Sequence, residues 1–326
     1  MTVWLMPMEP IEQRYSKQWL KYFELVFKEN TINYNVISGE SIQSNLSSKF
    51  FLDPVNTNIW KLTQLSNLLK NYNNIQNNDI VFFMDLWNPG LEVLPYTKAL
   101  LNKNIRIMGY LHAGSYDSWD LTNQTGMTVW AKGLEESWLS CCEKIFVATQ
   151  FHKDLVTQQR LVPKVSVKVV GFPLDINSLV SKYANCTKEN FVVFTGRKSV
   201  EKGYQKVLKL KKQNNNIVIT LDQERTKEQY YNLLGKAKVV LAPSEQETFG
   251  IGVVEGMACG CIPVVPDKLS FKETVPSKWR YDPIKENIQD YINKAMISTR
   301  DDRINIQKYV ERFQYQTVIN NICMEF

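Results

Sequence analysis

The chain has 326 residues, 44% hydrophobic and 22% charged, a composition that excludes disorder and supplies apolar material for packed cores. At that length two domains of about 150 residues each are expected. The net charge of +6 suits an anionic ligand, but residues 1–170 hold 16 basic and 15 acidic side chains against 23 and 18 in the remainder, so the excess sits in the second half and argues against a basic track across the first.

Short apolar, β-branched runs alternate with stretches of helical period, the pattern of βαβ units around parallel sheets. In the first half, strands are predicted at 3–6, 35–37, 80–84, 106–111 and 144–148. Between the first two, Trp19, Phe23, Val26 and Phe27 recur at helical spacing and read as a core-facing stripe. The segment GFPLDINSLVSKYANCTKEN, 171–190, mixes glycine, proline and polar residues between the two halves and is the expected hinge. In the second half, strands are predicted at 191–194, 217–221, 239–242 and 262–265, with helices starting at Lys202, Thr226, Gly250 and Lys285. The fold class is therefore α/β, two doubly wound sheets.

The opening MTVWLMPMEPIEQR turns acidic and proline-broken too early for a secretion signal, and no run approaches the roughly 18 apolar residues of a spanning helix, so a cytoplasmic location is expected. Six cysteines (Cys141, Cys142, Cys186, Cys259, Cys261, Cys323) form no C-x-x-C pair, which favours reduced structural thiols over disulfides or zinc.

The chemistry concentrates after predicted strands, where open α/β sheets bind ligands. In VVLAPSEQETFGIGVVEGMACG, Glu247 lies on the loop and Glu255 about two turns into a helix starting near Phe249. Carboxylates accept hydrogen bonds from pairs of hydroxyls, so two fixed acids suit a polyol such as a sugar and a ribose. Gly250 and Gly252 let backbone amides approach an anion at a helix N-terminus. The bland alternative makes Glu247 a helix cap and leaves Glu255 exposed. Upstream, FVVFTGRKSVEKGY delivers Arg197 and Lys202 from one loop, two cations that suit a diphosphate.

Together GRKSVEKG, PSEQETFGIGVVEGMACGCIPVV, VVGFPLD and VATQFHKDL resemble the retaining glycosyltransferases of family 4, which have the GT-B fold. The resemblance covers the second half well and the first half in outline. It implies two Rossmann-like domains facing a cleft: residues 1–172 binding the acceptor, residues 173–300 binding the nucleotide sugar, and a helical segment 301–326 packing back on the first. It also implies roles. Arg197 and Lys202 hold the diphosphate, Glu247 the hexose hydroxyls, and Glu255 the ribose. Thr248, Phe249, Gly250 and Ile251 line the donor. His112, in YLHAGSYD, faces the transferred sugar, and His152 has no assigned role. The implied donor is a nucleotide diphosphate sugar, a UDP-sugar first among them, with no cofactor or metal required.

The family's glycine-rich first loop is replaced here by MPMEPIEQRYSKQW, 6–19, which places Glu9, Arg14, Tyr15 and Lys17 as acceptor candidates or as a plain amphipathic helix start. That stretch is similar to the openings of bacteriophage enzymes that glycosylate hydroxymethylated bases in DNA. It implies a duplex DNA acceptor in a host cytoplasm. A saccharide or lipid-linked glycan acceptor, and an inactive nucleotide-sugar-binding protein, remain the alternatives. In GSYDSWDLTNQTGMTVW, 114–130, Tyr116, Asp117, Trp119 and Asp120 are further acceptor candidates, although Trp119 and Trp130 read more simply as core.

Overall fold

The computed structural model describes residues 1–11, 15–40, 53–214 and 216–326. The chain divides into two compact units. Met1–Val147, Lys153–Val170 and Ile319–Phe326 form the first; Ala148–His152 and Gly171–Val318 form the second.

The first unit is built on a six-stranded parallel sheet of β1 (Val3–Met6), β2 (Tyr34–Val36), β3 (Ile80–Phe83), β4 (Arg106–Tyr110), β5 (Lys144–Val147) and β6 (Val167–Val169), ordered β2-β1-β3-β4-β5-β6. VWLM and IVFF are buried at every position of β1 and β3, as expected of strands covered on both faces. The chain passes from β1 to β2 on one side and then to β3 on the other. The loops after β1 and β3 therefore diverge, the topological position at which such sheets take ligands.

The aromatic stripe of helix Ser16–Glu29 is core, as read: Trp19, Phe23, Val26 and Phe27 are fully buried. The last eight residues anchor in this unit. Arg106 donates to the Phe326 carbonyl at 2.8 Å, Lys144 and Lys168 pair with Glu325 at 3.0 and 3.2 Å, and the Phe326 ring lies 6.0 and 5.9 Å from those of Phe27 and Phe82.

The second unit carries a five-stranded parallel sheet of β7 (Glu189–Phe194), β8 (Ile217–Ile219), β9 (Ala237–Leu241), β10 (Ile262–Pro266) and β11 (Arg280–Tyr281), ordered β11-β10-β9-β7-β8. Here the reversal falls between β7 and β9. Within 171–190, residues Ile176–Tyr183 are helical, capped by the Asp175 carboxylate, which accepts from Ser178 N at 3.2 Å.

The helices expected from Lys202, Thr226, Gly250 and Lys285 begin at Tyr204, Lys227, Ile251 and Ile288. Thr226 and Gly250 are the capping residues, whose backbone is not yet helical. Strand 217–221 is shorter than expected because Thr220–Asp222 turn into a 3-10 helix. The edge strands β6 and β11 escape the sequence reading because they are three and two residues long and only partly buried.

Candidate functional site

In the second unit the loops after β7 and β9 meet through backbone. Gly203 has φ +70°, and a Cβ there would lie 2.2 Å from the Pro243 carbonyl oxygen, so only glycine lets the two loops approach this closely. Glu245 N and Gln246 N donate to the Glu201 carbonyl at 2.7 and 3.2 Å. This docking brings Lys202, predicted as a diphosphate ligand, against Glu247, predicted to hold the sugar. Lys202 Nζ stands 2.9 Å from Glu247 Oε1 and donates to Gln246 O at 2.7 Å and Gln246 Oε1 at 2.9 Å. Lys202 is buried and Glu247 largely so, an arrangement in which each charge is balanced before any ligand arrives. Arg197 is more exposed and reaches back to Glu201 at 3.1 Å.

The acidic loop ends at Gly250, φ +88°, which caps helix Ile251–Ala258 from the left-handed region. Val253 N and Val254 N donate to the Gly250 carbonyl at 3.0 and 3.1 Å, and the amides before them, with the positive end of the helix dipole, are of a kind that suits an anion. Phe249 is buried, its ring stacked on Phe172 at 5.2 Å and edge-on to Phe313 at 4.8 Å, so at this position only backbone remains for a ligand. The Thr248 carbonyl accepts from Thr149 Oγ1 at 2.8 Å, fixing the loop. Because the helix starts at Ile251 rather than near Phe249, Glu255 sits one turn in, not two. It is also buried, which overturns the bland alternative of an exposed acid.

In the first unit, His112 follows β4. Its Nε2 lies 2.8 Å from the Met84 carbonyl, which can only accept, so Nε2 carries hydrogen; Nδ1 lies 3.3 Å from the Tyr15 hydroxyl. The rings of Trp19 and Tyr110, centred 4.9 and 4.8 Å away, fix the imidazole plane. Glu9, after β1, accepts from Thr57 Oγ1 at 3.0 Å. Lys17 is exposed on helix Ser16–Glu29, and Arg14 lies outside the described residues.

The segment after His112 is held by a buried network. Ser115 N donates to Glu135 Oε1 at 2.6 Å and its hydroxyl to Glu135 Oε2 at 2.9 Å, while Arg160 Nε reaches Glu135 Oε2 at 2.8 Å. Tyr116 is buried with Arg160 over its ring at 5.6 Å. Asp117 accepts from Trp119 N at 2.9 Å, and Asp120 caps a short helix through Thr122 N at 2.9 Å. Trp119 and Trp130 are exposed at 40% and 53%, correcting their reading as core. On helix Thr128–Cys141 the buried stripe is Ala131, Glu135, Trp138 and Leu139; Trp130 stands one residue, about 100°, off it.

Sequence reading missed a pair beside His112. Asp85, adjacent to Met84 after β3, pairs with the buried Lys61 at 2.8 Å. Burial pushes the Asp85 carboxyl up, but the Lys61 ammonium, His112 and local hydrogen bonds outweigh it and hold it below its ordinary value. Lys61 lies four and seven residues before the buried Leu65 and Leu68, so helical spacing, the one local signal for it, puts it on the buried face of helix Pro54–Lys70. His152 is buried, its backbone N bonded to Thr149 Oγ1 at 3.1 Å. Among the described residues no group of three or more His, Cys, Asp or Glu is placed to hold a metal, and no helix is long and apolar enough to cross a membrane.

The loops after β7 and β9, with two cations, two acids and a helix N-terminus, fall inside a recognised region. Residues 179–312 match the family Glycosyl transferases group 1. This group 1 region contains Arg197, Lys202, Glu247 and Glu255. A tRNA-queuosine alpha-mannosyltransferase from Drosophila melanogaster is 33% identical over 55 residues, which take in 17% of this chain and 15% of that protein. Over its full length the chain also resembles two solved structures. Sucrose-phosphate synthase from Thermosynechococcus elongatus has a TM-score of 0.72 at 10% identity, covering 100% of this chain and 98% of that one. Anabaena HepE, solved with UDP-glucose, has 0.64 at 14%, covering 100% and 99%. Both units are Rossmann-like, and the fold is GT-B.

Proposed function

We propose that the chain is a retaining glycosyltransferase that moves a hexose from a nucleoside diphosphate sugar, a UDP-sugar first among them, to an acceptor hydroxyl. The observation that carries this reading is the docking of Lys202 and Glu247 beside the N-terminus of helix Ile251–Ala258, at the carboxyl ends of adjacent strands β7 and β9. The helix terminus and the two cations Arg197 and Lys202 suit a diphosphate, Glu247 suits sugar hydroxyls, and the buried Glu255 suits a ribose diol.

In the reaction the bond from the sugar's anomeric carbon to the diphosphate breaks. A new bond forms from that carbon to the acceptor oxygen on the same face, and the acceptor proton passes to the departing phosphate. Arg197 and Lys202 neutralise the charge that develops there, the role a metal serves in other transferases. Glu247 keeps Lys202 oriented before donor arrives and exchanges that contact for sugar hydroxyls when it does. His112, held in one tautomer by Met84 and Tyr15, is assigned to the transferred sugar.

For the acceptor we propose a hydroxyl carried on a modified base, in phage DNA first. The similarity of residues 6–19 to phage DNA glycosyltransferases supports it, as do the exposed indoles of Trp119 and Trp130, which offer stacking faces. The fly relative, named as acting on tRNA-queuosine, is a further nucleic-acid case. Incubation with UDP-glucose and hydroxymethylated duplex DNA should release UDP and add a hexose mass to the base, while unmodified duplex releases none. Equal release without acceptor, or transfer only to glycans, refutes the DNA assignment; no turnover of any nucleotide sugar refutes the transferase.

A further inference from the structure

Both oxygens of the buried Glu255 are already engaged. Tyr230 donates its phenol hydrogen to Oε2 at 2.9 Å and Tyr231 donates to Oε1 at 2.8 Å. Lys227 Nζ stands 3.6 Å from Oε1 and lies over both phenol rings, 5.8 and 5.3 Å from their centres. All three sit in the opening turns of helix Lys227–Lys236, which starts with a full capping box at Thr226 and Gln229. None of the three stood out in the sequence.

A carboxylate oxygen offers about two lone-pair sites, and each phenol takes one, so each Glu255 oxygen keeps one for a ligand. Burial, and then the neighbouring Glu255 charge, push the Tyr230 phenol well above its ordinary value, which keeps it a donor across the working pH range. Gly252, one turn before Glu255, lets the Thr195 side chain pack close beside the pair. A Cβ there would lie 2.4 Å from Thr195 Oγ1 and 3.4 Å from the Tyr230 hydroxyl. Thr195 in turn leads into the loop that carries Arg197 and Lys202. A diphosphate on that loop therefore has its nucleoside end within reach of Glu255.

We propose that Tyr230 and Tyr231 are positioning residues that fix the orientation of the Glu255 carboxylate so that its remaining lone pairs receive the paired hydroxyls of the donor's ribose, with Lys227 balancing its charge. This rests on the reading that the second unit binds a nucleoside diphosphate sugar. Two phenol donors, one on each carboxylate oxygen, restrict the orientation the carboxylate can take. A free carboxylate would have to be ordered by the ligand, at a cost in affinity. Neither phenol touches the reacting carbon, so their effect falls on ribose recognition rather than on transfer.

The test is calorimetric binding to the full chain of whichever of UDP, ADP and GDP binds most tightly, beside its 2′-deoxy counterpart, for the wild type, Tyr230→Phe, Tyr231→Phe and the double variant. The wild type should prefer the ribonucleotide roughly tenfold or more, as expected for a hydrogen bond to a charged group. In the double variant that preference should fall to within about threefold, each single variant lying between, while the 2′-deoxy nucleotide binds as before. A purely structural role for the tyrosines would weaken both nucleotides in proportion and leave the preference intact, and that result overturns the proposal. Failure of the wild type to bind any of the three nucleotides overturns the donor reading beneath it, and the proposal with it.

Discussion

Lys202 Nζ lies 2.9 Å from Glu247 Oε1, so the cation assigned to the leaving diphosphate and the acid assigned to the sugar hold each other in place. Removing either member should give a different kinetic signature. Glu247→Ala should abolish transfer, by about 100-fold or more in kcat, while nucleoside diphosphate binding changes little, because Lys202 retains both Gln246 oxygens. Lys202→Ala should weaken diphosphate binding by about 10-fold or more, the worth of a charge-assisted contact, and slow departure as well. Steady-state kinetics beside calorimetric titration of UDP checks the split. Near wild-type turnover in the Glu247 variant removes its sugar-holding role.

Gly203 is a backbone requirement of the site. An alanine there adopts a left-handed conformation that costs about 1–2 kcal/mol, before its Cβ meets the Pro243 carbonyl 2.2 Å away. Gly203→Ala should lower the thermal midpoint and weaken nucleotide binding together, since relief of the clash moves Lys202 away from Glu247. A variant that melts and binds like the wild type would show that the loop contact is not needed.

The Glu135–Arg160 pair is buried on both sides, at 2.7 Å, and holds Ser115, which lies in the segment after His112. Arg160→Met leaves Glu135 uncompensated and should cost about 3–5 kcal/mol in urea unfolding. The Glu135→Met, Arg160→Met double variant should recover much of that loss, because the cost lies in stranding one charge. Equal destabilisation by the single and double variants would contradict this.

Asp79, at the start of β3, accepts from Thr2 N at 2.7 Å, Trp4 Nε1 at 3.0 Å and Gln76 N at 2.9 Å. Burial pushes its carboxyl up, and those hydrogen bonds, Gln76 foremost, outweigh it to leave a net lowering. A group depressed in the folded state contributes stability above its ordinary value, about 3.9 for aspartate, and loses that contribution as pH falls through the lower folded value. Unfolding free energy should therefore decline below about pH 4 in the wild type. Asp79→Asn should be less stable at neutral pH and flatter across that window. Parallel curves for the two proteins would rule out a share for Asp79.

What was legible in the sequence follows from what is local. β1 and β3 are continuous apolar runs, and their extents could be read to within a residue. The loops carrying Arg197, Lys202 and Glu247, and the helix start that carries Glu255, were also readable, since glycines and charges after strands mark them. The partners were not. That Lys202 meets Glu247 depends on Gly203 folding onto Pro243, forty residues on, and that Tyr230 and Tyr231 meet Glu255 depends on two helices packing side by side. Lys61 and Asp85 failed to stand out for the same reason: that they meet depends on helix Pro54–Lys70 being laid against the end of β3.

The most direct test is a crystal structure of the full chain with a bound nucleoside diphosphate hexose, UDP-glucose being the first choice. The diphosphate is expected at the amide end of helix Ile251–Ala258 within reach of Arg197 and Lys202, the hexose against Glu247, and the ribose against Glu255. A donor bound elsewhere, or bound there with Glu247 and Glu255 touching neither sugar, would contradict the account.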